Sequence, residues 1–326
     1  MATQPVRTRR LGVGPEVFPV GLGCMGMSDL YGPADERESI ATIHAALDHG
    51  ITLLDTGDYY ASGANELLIA RALKDRPGRA LLSVKFGVLR GPDGAWLGVD
   101  LRPAAIRNWV AYSLKRLGVD HIDIYRPGRL DPAVPIEDTI GAISDLVKAG
   151  LVRAIGLSEV GAETVRRAQA VHPIADLQIE YSLISRDPET KIFPTLTELG
   201  VGVTAYGVLS RGLLAGSRPT GAADARSHFP RFAAGNSAVI EALARMANEK
   251  GCTATQLAIA WVLAKGEFIV PLIGARRRAQ LDEALGALRV KLSGDEIASL
   301  EAAIPAGAVV GTRYPPQVMT TLDSER

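Results

Sequence analysis

The chain has 326 residues, with 36 Lys and Arg against 36 Asp and Glu, so its formal charge at pH 7 is zero. That balance argues against a nucleic-acid binder or an anionic-membrane binder, both of which need a basic surplus. Two cysteines, Cys24 and Cys252, are too few for a disulfide framework, while 47% apolar residues suffice for a large core.

The basic N-terminal segment MATQPVRTRRLG has no apolar run behind it and does not read as a secretory leader. No stretch reaches the roughly 18 apolar residues of a membrane span, so a cytoplasmic location is expected. GVGPEVFPVGLG is predicted to form an N-terminal hairpin, with PVGLG supplying the first strand. A helix is predicted over 35–49: Asp35 and Glu38 form a capping-box pattern, Ile40, Ile43 and Leu47 share one face, and Gly50 ends it. Then follow strand 51–57, helix 64–74, strand 80–87, helix 103–117, strand 121–127 and helix 136–149. The second half continues with strand 152–158, helix 161–170, strand 176–182, helix 188–198 and strand 201–207. Helices over 237–249 and 253–265, strand 268–274 and helices over 277–288 and 293–302 complete the pattern. Eight strand–helix units without a linker predict one domain over 1–326. The expected fold is α/β, a (β/α)8 TIM barrel with an N-terminal β-hairpin and two extra helices. Three long connections, 88–102, 208–236 and 303–326, are candidate substrate loops.

Barrel enzymes work at the C-terminal ends of their strands, so polar residues closing strands are the candidates. The second strand ends in Asp55, with Asp58, Tyr59 and Tyr60 beyond it, and the third holds Lys85. An isolated Asp there is more often a turn former, but a lysine inside SVKFG needs a carboxylate partner or bears a desolvation penalty. The trio has a specific chemistry. A free phenol has a pKa near 10, a nearby ammonium lowers it, and an aspartate fixes the ammonium. Tyr60 would then protonate a carbonyl oxygen while another group delivers hydride. GLGCMG (21–26) fits G-x-G-x-x-G, but Pro33 and the cap at Asp35 delay the helix that a dinucleotide fingerprint requires, so the match reads as accidental. The five histidines lack metal-ligand spacing, so no metal is expected.

LLDTGDYY followed by SVKFG resembles the aldo-keto reductase signature. GLGCMG, IGLSE, the Gln178–Ser182 run, AYGVLSRGLL and PLIGAR extend the resemblance over essentially the whole chain. It implies that Asp55, Tyr60 and Lys85 are three members of a catalytic tetrad. It further implies that Gly23, Cys24 and Met25 lie beside the nicotinamide ribose and that Ser158 and Gln178 hold the carboxamide. Glu159 stands where the family often has asparagine. Tyr206 would stack on the ring, its plainer reading being a core tyrosine. Gly207, Leu209, Ser210, Gly212 and Leu213 would form the pyrophosphate loop. In GARRRAQLDEA (274–284), from Gly274 onward, Arg276 and then Arg278 would hold a 2′-phosphate, with Gln280 and Glu283 reaching the adenosine. The expected cofactor is therefore NADPH (NADP+).

The fourth tetrad member departs from the pattern. The family usually reads Y-x-x-H-R after the fourth strand; here the run is DIYRPGRLDP and Gly128 stands at the histidine position. Arg126 or Arg129 could donate to the carbonyl instead, although surface ion pairs are their plainer reading. The variant resembles bacterial reductases of bulky ketones, xenobiotics and keto-mycotoxins among them. Trp96, Leu97, His228, Phe229, Phe232, Tyr314, Tyr31 and Tyr59 would line a roomy apolar cleft for a small-molecule carbonyl substrate. Two alternatives stand beside the NADPH-dependent reductase: a nucleotide sensor or accessory subunit kept alive by Gly128, and a Schiff-base enzyme using Lys85. A monomer or weak homodimer is expected.

Overall fold

Short apolar runs, each closed by a glycine or polar residue and followed by a capped helix, build a closed parallel barrel. The structure is a computed structural model that describes residues 7–28, 30–221, 224–233 and 235–326. The chain opens with an antiparallel hairpin of β1 (Arg9–Arg10) and β2 (Glu16–Val17). The first half of the barrel then runs through β3 (Gly21–Gly23), α1 (Glu36–Asp48), β4 (Leu53–Gly57), α2 (Ala64–Leu73) and β5 (Leu81–Phe86). A second hairpin, β6 (Val88–Arg90) and β7 (Trp96–Val99), precedes α3 (Pro103–Leu117), β8 (Ile122–Pro127) and α4 (Ile136–Lys148). The second half has β9 (Val152–Ser158), α5 (Ala162–Val171), β10 (Ile174–Glu180), α6 (Ile192–Leu199) and β11 (Gly202–Tyr206). It ends with α7 (Pro230–Ala233), α8 (Ser237–Lys250), α9 (Ala254–Ala264), β12 (Ile269–Gly274), α10 (Arg278–Leu285), α11 (Gly294–Ala303) and α12 (Pro316–Met319). The barrel strands pair in the order β3-β4-β5-β8-β9-β10-β11-β12, and β12 closes on β3.

This is the predicted (β/α)8 barrel, with α8 and α11 as the two expected extra helices and the short α7 and α12 in the long connections besides. The Asp35 carboxylate accepts from the Glu38 N–H at 2.8 Å, but the predicted capping box is only half formed, because the Glu38 carboxylate accepts from Arg278 instead. Ser293 and Thr253 begin α11 and α9 with complete capping boxes. Four local expectations need correction. The N-terminal hairpin pairs Arg9–Arg10 with Glu16–Val17, so its first strand precedes the run 12–23. The first strand is Gly21–Gly23 rather than 19–23. The sixth starts at Ile174 and stops at Glu180, because Ser182 turns back to bond Ser185. The long connection 88–102 contains the β6–β7 hairpin, whose short strands carry no alternation to announce them.

The core has two parts. One large cluster lies between barrel and helices. A smaller one fills the barrel floor, where Leu53, Ile124, Ala154, Val270 and Leu272 meet Leu11 and Val17 of the N-terminal hairpin. The hairpin thus plugs the N-terminal end, held by Arg9, whose guanidinium donates to the carbonyls of Leu263, Gly266 and Ile269. The opposite end, where βα loops gather, is left for chemistry. Among the described residues, no helix is long and apolar enough to cross a membrane.

Candidate active site

Side chains on a barrel strand alternate between interior and exterior, and above the apolar floor the inward positions turn polar. One buried layer joins Arg126 of β8, Asp176 of β10 and Thr204 of β11. Arg126 lies 3.0 Å from the Asp176 carboxylate and donates to Thr204 Oγ1 at 2.9 Å. An added Cβ at Gly156 would fall 2.6 Å from Asp176 Oδ1, so a glycine on β9 makes room for this pair. Arg126 is therefore neither a surface ion pair nor a substrate donor. It sits inside the barrel, where an unpaired charge would be costly.

The next layer holds the predicted trio. Asp55 closes β4 beside Ser83 and Lys85 of β5. Lys85 Nζ lies 2.5 Å from Asp55 Oδ2, while Ser83 and Gln178 both donate to Asp55 Oδ1 at 2.8 Å. Asp55 is thus held on both oxygens, and its lysine is fixed in place. Burial lowers the Lys85 pKa, against the opposing pull of Asp55. The Lys85 ammonium stands 5.0 Å from the centre of the Tyr60 ring. Burial pushes the Tyr60 hydroxyl well above its ordinary range, with Tyr59 and Asp55 adding to it. The net shift in this geometry is therefore upward, with burial its largest cause. Beyond Tyr60 the chain turns through Ala61 and Ser62 with φ of 46° and 52°. This left-handed path costs about 1 kcal/mol per residue and aims the Tyr60 loop over the strand ends.

The expected cofactor residues gather around the same rim, with some reassigned. Ser158 and Gln178 are register partners on β9 and β10. Tyr206 ends β11 with a partly exposed ring. Gly207, Ser210 and Gly212 have positive φ, and the short helix they shape keeps Leu213 buried and Leu209 only partly so. Gly23 lies on β3, Met25 is partly exposed, and the Cys24 side chain is fully buried, leaving only its backbone near the rim. Gly274 closes β12. Arg276 donates to the Tyr31 carbonyl at 2.8 Å, and Gln280 Oε1 accepts from the Arg276 N–H at 3.0 Å. Arg278 is exposed and pairs with Glu38 at 3.0 Å, and Glu283 is exposed on α10. A hydroxyl, an amide, an aromatic face and a guanidinium beside a helix start form a donor set that fits a nicotinamide and a phosphate.

Glu159 is the clearest reassignment. Its φ is 55° and its carboxylate is saturated. Oε1 accepts from Tyr206 at 2.7 Å, Arg313 at 2.9 Å and the Glu180 N–H at 2.9 Å. Oε2 accepts from Arg313 at 2.5 Å and Ser324 at 2.7 Å. Burial raises its pKa, but Arg313 outweighs that and holds it at about 2. Glu159 therefore anchors the C-terminal segment and has no lone pair left for a carboxamide. The same segment brings the Tyr314 hydroxyl to 2.9 Å from that of Tyr206. Arg211 is a residue sequence reasoning missed. It pairs with buried Glu180 at 3.0 Å and lies over the rings of Tyr314 and Phe229 at 4.4 and 4.8 Å. The arginine within AYGVLSRGLL was the only available signal.

The fold and rim have known counterparts. A sequence profile of the Aldo/keto reductase family matches residues 19–305. The chain is 41% identical over 324 residues to a probable aldo-keto reductase 1 of Glycine max, covering 95% of this chain and 92% of that protein. It superposes on a glycerol dehydrogenase from Gluconobacter oxydans with a TM-score of 0.84 at 29% identity, covering 97% of this chain and 99% of that one. An aldo-keto reductase from Klebsiella pneumoniae, solved in complex with NADPH, gives 0.75 at 26% identity over 96% of this chain and 99% of that one.

Proposed function

The chain belongs to the aldo/keto reductase family, and from that premise we propose that it reduces a ketone or aldehyde to the alcohol with NADPH. The observation that carries this reading is the Asp55–Lys85 pair at 2.5 Å beneath Tyr60. NADPH, when bound, supplies the hydride that the carbonyl carbon receives. Tyr60 gives its hydroxyl proton to the carbonyl oxygen. A phenol's ordinary pKa near 10 already keeps that proton in place at neutral pH, and the Lys85 ammonium then faces the phenolate left behind. Asp55, held by Ser83 and Gln178, keeps that ammonium in place without reorganising. Ser158 and Gln178 would hold the carboxamide, Tyr206 would cover the ring and Arg276 would meet the 2′-phosphate. A Schiff base on Lys85 is disfavoured, since its Nζ is engaged by Asp55.

The substrate is proposed to be bulky and largely apolar, such as a xenobiotic or a keto-mycotoxin. Trp96 and Leu97 are exposed on the hairpin that follows β5, on the side of the active site, and Phe229 and Tyr314 pack edge to face at 5.7 Å. We place the activity within the single barrel domain and propose a monomer or weak homodimer. The test is NADPH consumption, followed at its absorbance band, with dicarbonyls, aldehydes and bulky ketones. Tyr60→Phe should reduce turnover by about 10²–10⁴-fold while NADPH still binds. NADPH binding without turnover on any carbonyl would transfer the assignment to a nucleotide sensor.

A further inference from the structure

Gly128 has no conformational need to be glycine, because its φ lies outside the left-handed region. Its N–H donates to the Phe86 carbonyl at 2.8 Å, fixing it beside the end of β5. What favours glycine is a neighbour. A Cβ added at 128 would lie 3.1 Å from Tyr59 Cε1 and 3.2 Å from Tyr59 Oη, with Phe86 O at 3.3 Å behind it. A side chain at 128 would therefore press on the Tyr59 phenol, which would have to give by a few tenths of an ångström. Glycine at 128 lets the Tyr59 ring keep its present place.

The placement of Tyr59 is built from several sides. An added Cβ at Gly57 would sit 3.3 Å from both the Tyr59 and the Tyr60 rings, so a second glycine admits the two phenols together. Those rings meet edge to face with centroids 5.0 Å apart. Burial raises the Tyr59 pKa and keeps its hydroxyl protonated, with Arg129 pulling the other way. Among the described residues it has no protein hydrogen-bond partner, although its ring is only partly exposed. A neutral O–H donor thus stands at the cleft beside the proton donor, from one position earlier in the same loop.

Resting on the reductase reading above, we infer that Tyr59 is a second catalytic hydroxyl, donating a hydrogen bond to the carbonyl oxygen that Tyr60 protonates. Gly128 is the space that lets it reach. The pair polarises the C=O bond from two directions: Tyr60 transfers its proton, while Tyr59 keeps its own and only donates. The missing fourth tetrad side chain is then supplied from the second barrel strand's loop rather than from the fourth.

Three measurements on the full chain decide this. Tyr59→Phe keeps the ring and removes the donor. It should lower kcat/KM for carbonyl reduction about 10–100-fold, with NADPH affinity by fluorescence quenching within about twofold. Acetate, whose carboxylate accepts hydrogen bonds as a carbonyl oxygen does, gives a readout without turnover. Its dissociation constant on NADP+-loaded protein should rise about 5–10-fold in Tyr59→Phe. Gly128→Ala should lower Tm by about 2 °C in the native background and leave Tm unchanged in Tyr59→Ala. Tyr59→Phe indistinguishable from the native chain in both kcat/KM and acetate affinity overturns the inference. So does a Gly128→Ala effect that is the same in both backgrounds. If Tyr60→Phe retains full turnover, or no carbonyl is reduced at all, the reductase reading falls. The acetate titration still reports on the Tyr59 hydroxyl in that case, because it needs no turnover.

Discussion

Replacing Arg313 with alanine should release the C-terminal segment from the barrel without unfolding it. Arg313 donates to both oxygens of Glu159, at 2.9 and 2.5 Å, and also to Glu325 and Ser324. The Glu159 side chain is fully buried, so the variant leaves a buried carboxylate without its cation. Breaking one side of such a pair costs about 3–5 kcal/mol. Tyr206, Ser324 and the Glu180 N–H still donate to Glu159, which places the value near the lower end. At about 1.4 kcal/mol per decade, a cost of about 3 kcal/mol shifts the docking equilibrium by roughly two orders of magnitude. Hydrogen exchange read by mass spectrometry should show that loss of protection over 313–325, with the barrel strands unchanged. In a Glu159→Gln background the buried carboxylate that Arg313 clasps is neutral, while Glu180 nearby keeps Arg211 and Arg231 as partners, so Arg313→Ala should cost clearly less. Equal costs in the two backgrounds would refute the reasoning. The sign with pH is fixed as well. Glu159 is held down at about 2, so the clasp is intact above the ordinary carboxylate range and weakens as pH falls towards that value.

Asp58 behaves in the opposite sense. Burial, with Glu66 adding, pushes its carboxyl up to about 8, so its protonated form belongs to the folded state. Its contribution to stability is present at low pH and fades as pH rises towards 8; Asp58→Asn should flatten that decline and raise Tm at pH 8. Gly202→Ala should cost about 1–3 kcal/mol in urea unfolding, because its Cβ would meet the Leu11 Cα at 2.8 Å and the Gly12 nitrogen at 3.1 Å. An unchanged midpoint would mean that the floor plug yields. Arg276→Ala should raise the KM for NADPH about 10–100-fold and leave that for NADH unchanged; equal effects on both would dissociate Arg276 from the 2′-phosphate.

Strands and helices were legible wherever a local rule dictates them. The run IVPLIG is apolar because its strand is buried, and Asp35 and Ser293 cap helices through neighbours three residues away. The Asp55–Lys85 pair was legible for the same kind of reason, since a lysine on an inward strand face demands a carboxylate. What escaped depends on contacts between distant segments. Nothing local marks Glu159 as the partner of Arg313, 154 residues away. Arg126 read as a surface ion pair or a substrate donor, because its partner Asp176 lies two strands away, across β9. Gly128 was legible as a departure, yet its reason lies in a tyrosine on another strand's loop.

The floor plug has a consequence for how the chain comes to be folded. Arg9 bonds the carbonyl of Gly266, 257 residues later, and β3 waits for β12 to close the barrel. On a ribosome the hairpin around Arg9 would emerge long before Leu263, Gly266 and Ile269, its partners. Until then β3 presents an unpaired edge, and the apolar floor around Leu53 and Ile124 lacks its cover. Closure over so long a separation is slow, and an open strand edge invites pairing with another chain. Truncation ahead of residue 269 should therefore yield aggregation rather than a smaller barrel. The step that completes the fold is also the step that ends its exposure to other chains.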